Sequence, residues 1–416
     1  MTAVPPNTEG GTRPVITGIG VIAPTGIGAK AHWEATLRGE NAIVPVDAFG
    51  PEGRRSRLLG EVRGFVAEDH IPGRLLPQSD RITRFALAAA EWALVDAGSP
   101  QAALSAEDMA VVTANSTGGI AFGQRELEKL WGRGPQYVSA YMSFAWFYAV
   151  NTGQLSIRHD MRGPMGVVVT EQAGGLDAIA QARRVLRAGT PLALTGGMDS
   201  AVCPYGLAAQ AASGRLTGSD DPDRAYLPFD RDATGHVAGE GGAMLVLESA
   251  DRARSRGVRG YGEISGYCAT FDPPPGSGRP TNLRRAIEGA LEDAGTAPNG
   301  VSVVFADAAG ETEADQAEAE ALSEVFGPRG VPVTAPKTMT GRLYAGAGPL
   351  DLVSACLALR ERIAPPTINS ATAADAAVDL VTGAPRPLAP GAALVVARGT
   401  GGFNSAVIVE AAQPRP

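Results

Sequence analysis

Sulfur, positive charge and long apolar runs are all scarce in this chain, and each scarcity removes a class of function. Three cysteines, Cys203, Cys268 and Cys356, are scattered over 416 residues without a CxxC pair. Neither a disulfide framework nor a thiolate metal site is indicated; they read as small buried apolar residues in a reducing, cytoplasmic setting. Histidine occurs four times, as His32, His70, His159 and His236, too dispersed to form a metal cluster. Lys+Arg 36 against Asp+Glu 44 leaves a formal charge of -8, which argues against a nucleic-acid groove or an anionic membrane surface. No apolar run approaches the ~20 residues of a membrane span.

Glycine is what abounds. Gly 53 in 416 residues is about 13% against a usual ~7%, which suggests tight turns and close backbone approaches. The hydrophobic share of 44% is that of an ordinary globule, and the length allows two or three domains or one large duplicated one. Residues 1–12 are polar and Gly/Pro-rich, expected to be a disordered tail, and 413–416 a short one.

Gly18-Ile19-Gly20-Val21-Ile22-Ala23 matches the dinucleotide fingerprint GxGxxA. Pro24 and a second glycine cluster, Gly26-Ile27-Gly28, arrive where the phosphate-binding helix should begin, so a structural turn is expected instead. A helix from about Thr83 to Asp96 closes at Gly98 as its C-cap. The strand Met109-Ala110-Val111-Val112-Thr113-Ala114 follows, then the turn Asn115-Ser116-Thr117-Gly118-Gly119. Ser116 resembles a nucleophile elbow, but Ala114 replaces the first glycine of GxSxG and a structural turn is expected. Segment 137–148 carries Tyr141, Phe144, Trp146, Phe147 and Tyr148, either core or the apolar centre of a subunit interface.

The second half repeats the first. Ala93-Leu94-Val95-Asp96-Ala97-Gly98 recurs as Ala290-Leu291-Glu292-Asp293-Ala294-Gly295, and Ala173-Gly174-Gly175-Leu176-Asp177 as Ala347-Gly348-Pro349-Leu350-Asp351. Two landmarks in the same order predict two copies of a β/α unit, each with its own sheet, around shared buried helices. The halves are expected at 13–256 and 257–412.

In the first half Val167-Val168-Val169-Thr170-Glu171-Gln172-Ala173-Gly174-Gly175 is a buried strand handing over to a helix through a tight elbow. In acyl-transfer enzymes built this way the projected residue is a nucleophile, assisted by the helix N-terminus. Here it is Gln172, and a carboxamide is not nucleophilic.

The duplicated halves, the elbow, 307–318, 337–348 and the terminal Gly401-Gly402-Phe403-Asn404 together resemble the thiolase-fold β-ketoacyl synthases. The resemblance implies an α/β, thiolase-like fold with duplicated βα halves in an α-β-α-β-α layering. In that family the elbow carries a cysteine and two histidines polarise a malonyl thioester. Gln172 stands at the cysteine, Asp307 at the first histidine and Arg342 at the second, while Lys337, Gly341, Asp315 and Glu318 match. Without nucleophile and imidazoles there is no covalent acceptor and no neutral donor for an enolate oxygen. A pairing of Arg342 with Asp307 is expected to plug the vacated cavity.

Glutamine at the elbow, with Tyr226-Leu227-Pro228-Phe229-Asp230, Pro336-Lys337-Thr338-Met339-Thr340-Gly341-Arg342-Leu343-Tyr344 and Ser143-Phe144-Ala145-Trp146-Phe147-Tyr148-Ala149-Val150-Asn151, is similar to the chain length factors (ketosynthase β) of type II aromatic polyketide synthases. That resemblance implies a heterodimer with a catalytic ketosynthase α in antibiotic biosynthesis. It implies phosphopantetheine-linked malonyl and polyketide chains as the complex's substrates, with no cofactor bound directly. An acyl carrier protein would dock mainly on the partner. It also places the chain-length gate on the helix after the first glycine turn, where Ile120, Gly123 and Leu127 share one face. A plain core stripe remains the other reading of that spacing. Lacking aromatics there, the gate is expected to admit a decaketide or longer. The alternative is a malonyl-carrier-protein decarboxylase or priming subunit using Gln172.

Overall fold

The computed structural model describes residues 13–46, 58–274, 276–371 and 377–412; both expected tails lie outside them. In chain order the main elements begin with β1 (Pro14–Ala23), α1 (Ala29–Arg38) and α2 (Arg81–Asp96). Next come β2 (Met109–Ala114), α3 (Ile120–Arg133), α4 (Val150–His159) and β3 (Met165–Val168). Then follow α5 (Gly174–Arg187), β4 (Leu192–Asp199) and β5 (Gly241–Ser249). The second half holds β6 (Gly262–Phe271), α6 (Leu283–Ala294), β7 (Val301–Phe305), α7 (Thr312–Phe326) and β8 (Pro332–Thr334). It closes with α8 (Ala347–Glu361), β9 (Asp379–Leu380), β10 (Ala392–Gly399) and β11 (Phe403–Ala411).

The strands form one hydrogen-bonded path, β9-β8-β7-β10-β11-β6-β1-β5-β4-β2-β3. This corrects the expectation of two separate sheets. The halves are spliced through β1 and β6 at only two residue pairs, Val15↔Glu263 and Ile16↔Gly262. Within each half the outer strands run parallel, β2 between β3 and β4, and β7 between β8 and β10. Parallel strands need both faces covered. Accordingly α5 and α8 fill the space between the half-sheets, α2 covers β1 and β5, and α6 covers β6 and β11. Every residue of α8 from Ala347 to Leu359 is buried, as a helix apolar all round must be. The layering is the α-β-α-β-α of the thiolase-like fold.

The repeated sequence has a repeated physical cause. The register of β1 shifts between Ile16 and Gly18, and that of β6 between Ile264 and Gly266. At these bulges a helix presses on the strand. A Cβ at Gly18 would lie 2.1 Å from the Ala93 carbonyl oxygen, and one at Gly266 2.1 Å from that of Ala290. The amides turned aside are accepted by the repeated carboxylates: Ile19 N–H by Asp96 at 3.0 Å and Tyr267 N–H by Asp293 at 2.9 Å. The second landmark is where α5 and α8 cross, since a Cβ on Gly175 would meet Pro349 Cδ at 2.2 Å.

The Gly18–Ala23 segment is neither phosphate loop nor turn. It is the fully buried body of β1, and its glycines admit the α2 backbone rather than a pyrophosphate. That corrects the turn expectation; glycine alternating along a strand marks a close approach as readily as a loop.

Candidate active site with its reagents replaced

The elbow turns as anticipated, but the strand leading into it is not the buried one expected: β3 is half-buried at the end of the sheet, with Met165 and Val169 exposed. Strand β3 ends at Val168, Gln172 sits in a single 3-10 turn over Glu171–Ala173, and α5 starts at Gly174. Glu171 is held at φ 52, in the left-handed region, and Gln172 is 1% exposed. The Glu171 carboxylate accepts from the Thr400 hydroxyl at 2.9 Å and from the Thr400 amide, tying the elbow to the loop between β10 and β11. Thr170 donates to Asp177 at 2.6 Å, which anchors the turn to the first turn of α5.

Asp307, two residues beyond β7, and Arg342, on the loop before α8, meet beside this elbow. They form a bidentate pair, Nη2 to Oδ1 at 3.0 Å and Nη1 to Oδ2 at 3.2 Å, both side chains almost wholly buried. The expected pairing is therefore present. Arg342 also donates to the carbonyls of Asp307 (3.0 Å) and Arg398 (3.2 Å), and the Arg398 amide donates to Asp307 at 2.9 Å. Burial works against the charge on Asp307, but the Arg342 guanidinium, with Lys337 behind it, holds its carboxyl below the usual range. Despite burial, Asp307 likewise keeps Arg342 cationic.

The retained polar residues support this frame. Lys337 pairs with Asp351 at 2.8 Å and donates to the Ala306 carbonyl. Glu318 accepts the amides of Asp307 and Ala308 at 2.7 and 2.8 Å, and Asp315 those of Phe229 and Gly310 at 3.0 and 3.2 Å. Burial pushes Asp315 up to about 7, against its two amide bonds and with the charge of Glu318 adding to the shift.

No thiol takes over the lost role. Cys203 and Cys356 are buried as expected while Cys268 is only half-buried, and burial raises all three, Cys356 to about 12. One group escaped the motif reading: His236 packs near Tyr226, ring centroids 6.4 Å apart, its Nδ1 shielded and unpartnered. Burial and then the Arg342 charge keep that imidazole neutral. It comes from the loop before β5, which is held to Leu216 through His236 and to Arg342 through Ala238; no spacing in the sequence signals it. Outside the ion pair a cavity of about 320 Å³ opens, lined by Arg215, Asp272, Asp307, Arg398, Thr400 and Phe403. Arg215 pairs with Glu311 at 2.6 Å along its wall. The wall is mixed, its charged residues interleaved with Ala309, Ala314 and Phe403.

Of the helix-face residues, Gly123 is buried, Ile120 half-buried and Leu127 39% exposed. A Cβ on Gly123 would meet Trp146 Cβ at 3.6 Å and Met142 Cε at 3.9 Å, so this face of α3 looks onto the aromatic segment. Tyr141, Trp146, Phe147 and Tyr148 are exposed, Trp146 by 49%, and Phe144 is half-buried. Among the described residues β3, with Met165 58% exposed, is the last strand of the sheet. Among the described residues no cluster of metal-ligating side chains occurs and no helix is long and apolar enough to cross a membrane.

Fold and centre together define a condensing-enzyme scaffold of the thiolase type, with Gln172 at the elbow and the Asp307–Arg342 ion pair beside it. Residues 12–253 match the β-ketoacyl synthase N-terminal domain and 261–371 the C-terminal domain. The chain belongs to the β-ketoacyl synthase family. It is similar to the tetracenomycin polyketide synthase ketoacyl synthase beta subunit of Streptomyces glaucescens, 58% identical over 95% of this chain and 97% of the relative. Among solved structures, the ishigamide ketosynthase/chain length factor superposes with TM-score 0.88 at 26% identity, covering 97% of this chain and 100% of that one. A type II polyketide synthase acyl-carrier protein in complex with its ketosynthase bound to the hexaketide gives 0.87 at 25% identity, with 97% and 100% covered.

Proposed function

We propose that this chain is the chain length factor, or ketosynthase β, of a type II polyketide synthase. It forms a heterodimer with a catalytic ketosynthase α and shapes the tunnel in which that partner extends a carrier-bound polyketide. The observation that carries the reading is the Asp307–Arg342 pair beneath an elbow bearing Gln172, in a chain 58% identical to a ketosynthase beta subunit. On this side the elbow offers an amide in place of an acyl acceptor, and the ion pair occupies the centre beside it. Chemistry must come from a partner.

The exposed aromatics of 141–148 and the open edge of β3 support a partner-binding face. Isolated apolar side chains on a surface are ordinary, but a contiguous cluster with an unpaired strand edge marks an interface. Because α3 adjoins that cluster, Ile120, Gly123 and Leu127 would line the tunnel where the subunits meet, and the absence of an aromatic at all three positions favours a long product, a decaketide or longer. Phosphopantetheine-linked chains enter through the partner, and this subunit binds no cofactor of its own. Decarboxylation by Gln172 finds no comparable support, since the relatives are ketosynthase beta subunits and a ketosynthase/chain length factor.

The deciding experiment purifies the chain alone and co-expressed with a ketosynthase α, supplying malonyl carrier protein to each. The expected result is polyketide from the pair alone. Carbon–carbon bond formation by the isolated chain would overturn the reading. Release of CO2 that disappears in a Gln172→Ala heterodimer would establish the priming alternative.

A further inference from the structure

Helix α3 starts without a cap of its own. Gly119 stands at its N-cap and has no side chain to accept the free amides of the first turn. The acceptor comes from another helix. Asp80, the N-cap of α2, accepts the Ile82 amide on Oδ1 at 3.1 Å and the Phe122 amide on Oδ2 at 2.6 Å. One carboxylate thus caps two helices.

The arrangement is tight on every side. Asp80 is 1% exposed, Arg125 lies over the Phe122 ring at 5.4 Å, and Arg84 is fixed by the Leu76 carbonyl at 2.7 Å. On the opposite side the Gly119 amide donates to the Trp146 carbonyl at 3.0 Å. A Cβ on Gly119 would lie 2.0 Å from the Ala145 carbonyl oxygen and 2.9 Å from Asp80 Cβ. The first turn of α3 is therefore wedged between Asp80 and the backbone of the aromatic segment. Ile120 and Gly123 ride on that turn.

We infer that Asp80 is the positioning residue of the chain-length gate: by capping α3 across the fold it fixes where Ile120 and Gly123 stand against the aromatic segment. The inference rests on the reading of α3 as the gate. Asp80 reaches no substrate; it acts through the helix.

Asp80→Ser is the informative variant. Serine caps a helix about as well as aspartate, so α2 keeps its cap, but a single hydroxyl oxygen on a shorter side chain cannot serve Phe122 as well. In heterodimers with a ketosynthase α, total polyketide is expected to stay near the parent level. The fraction of off-length products should rise several-fold, and amide hydrogen exchange in the first turn of α3 should quicken while that of α2 does not. Gly123→Phe is run alongside. A shifted product in Gly123→Phe with an unchanged distribution in Asp80→Ser overturns the positioning role and leaves the gate standing. Unchanged products in both overturn the gate and this inference with it. Should Asp80→Ser fail to assemble, Asp80→Asn, which keeps one carbonyl acceptor, is measured in the same way. Failure of both to assemble overturns the inference by assigning Asp80 to folding.

Discussion

Arg342 and Asp307 form one bidentate ion pair, 3.0 Å apart at the nearest atoms and buried beside the elbow. Each stands where a β-ketoacyl synthase is expected to hold a histidine. Breaking such a pair strands a charge: Asp307→Ala leaves Arg342 without its counter-ion and should cost about 3–5 kcal/mol of unfolding free energy. Replacing both partners together, by Asp307→Leu with Arg342→Met, should cost far less. Chemical denaturation of the three variants measures it, and a fully tolerated Asp307→Ala would show that the pair is not a structural plug.

Gln172→Cys restores the nucleophile's atom type without its surroundings. With Arg342 in place and no imidazole at position 307, the variant is expected to form no carbon–carbon bonds alone. Product analysis of the isolated variant decides this. Any condensation would mean that the missing thiol was the sole defect.

At Gly123 the space admits a methyl group and little more. Gly123→Ala places its Cβ at 3.6 Å from Trp146 Cβ, an ordinary contact, and should raise stability by up to about 1 kcal/mol through helix propensity. Gly123→Phe and Ile120→Phe must push into the aromatic segment, and shorter polyketides are expected from their heterodimers. Mass spectrometry of the products reads the effect. Unchanged length in both would remove these positions from the gate.

Asp315, pushed up to about 7 by burial, makes stability depend on pH. An unfolded aspartate titrates near ~3.9, so across roughly pH 4 to 7 the folded chain keeps a proton that the unfolded chain has released. Stability from this group is therefore full at low pH and falls as pH rises through that window. Asp315→Asn should flatten the Tm profile between about pH 4 and 7 relative to the parent. A profile of equal slope would contradict the assignment.

Trp146→Arg and Phe147→Ser, in the exposed aromatic cluster, should weaken assembly with a ketosynthase α while leaving the Tm of the isolated chain nearly unchanged. Analytical ultracentrifugation of the mixed subunits tests it. A heterodimer of parent affinity would move the interface elsewhere.

Much of the scaffold was legible because it repeats. Asp96 and Asp293 do the same work at the same bulge, and the pressure of α2 and α6 on β1 and β6 demands glycine at 18 and 266 in each copy. The same pressure misled at Gly18–Ala23, since local pattern cannot distinguish a glycine that turns the chain from one that admits a neighbour. The elbow and the strand Met109–Ala114 were legible from β-branched runs meeting glycine. His236 beside Arg342 and Asp80 beneath Phe122 were not: each contact joins distant segments and leaves no periodicity behind.

The amino-acid sequence by itself determined the alternation of strands and helices, the two repeated landmarks and an elbow bearing the amide side chain of Gln172, because periodicity and side-chain chemistry are local properties. Only the tertiary structure decided that the halves share one sheet, that Asp307 and Arg342 neutralise each other in the vacated centre, and that one carboxylate caps both α2 and α3. Burial is the reason. Charges and free amides withdrawn from water must find partners wherever the fold brings them within about 3 Å, whatever their distance along the chain.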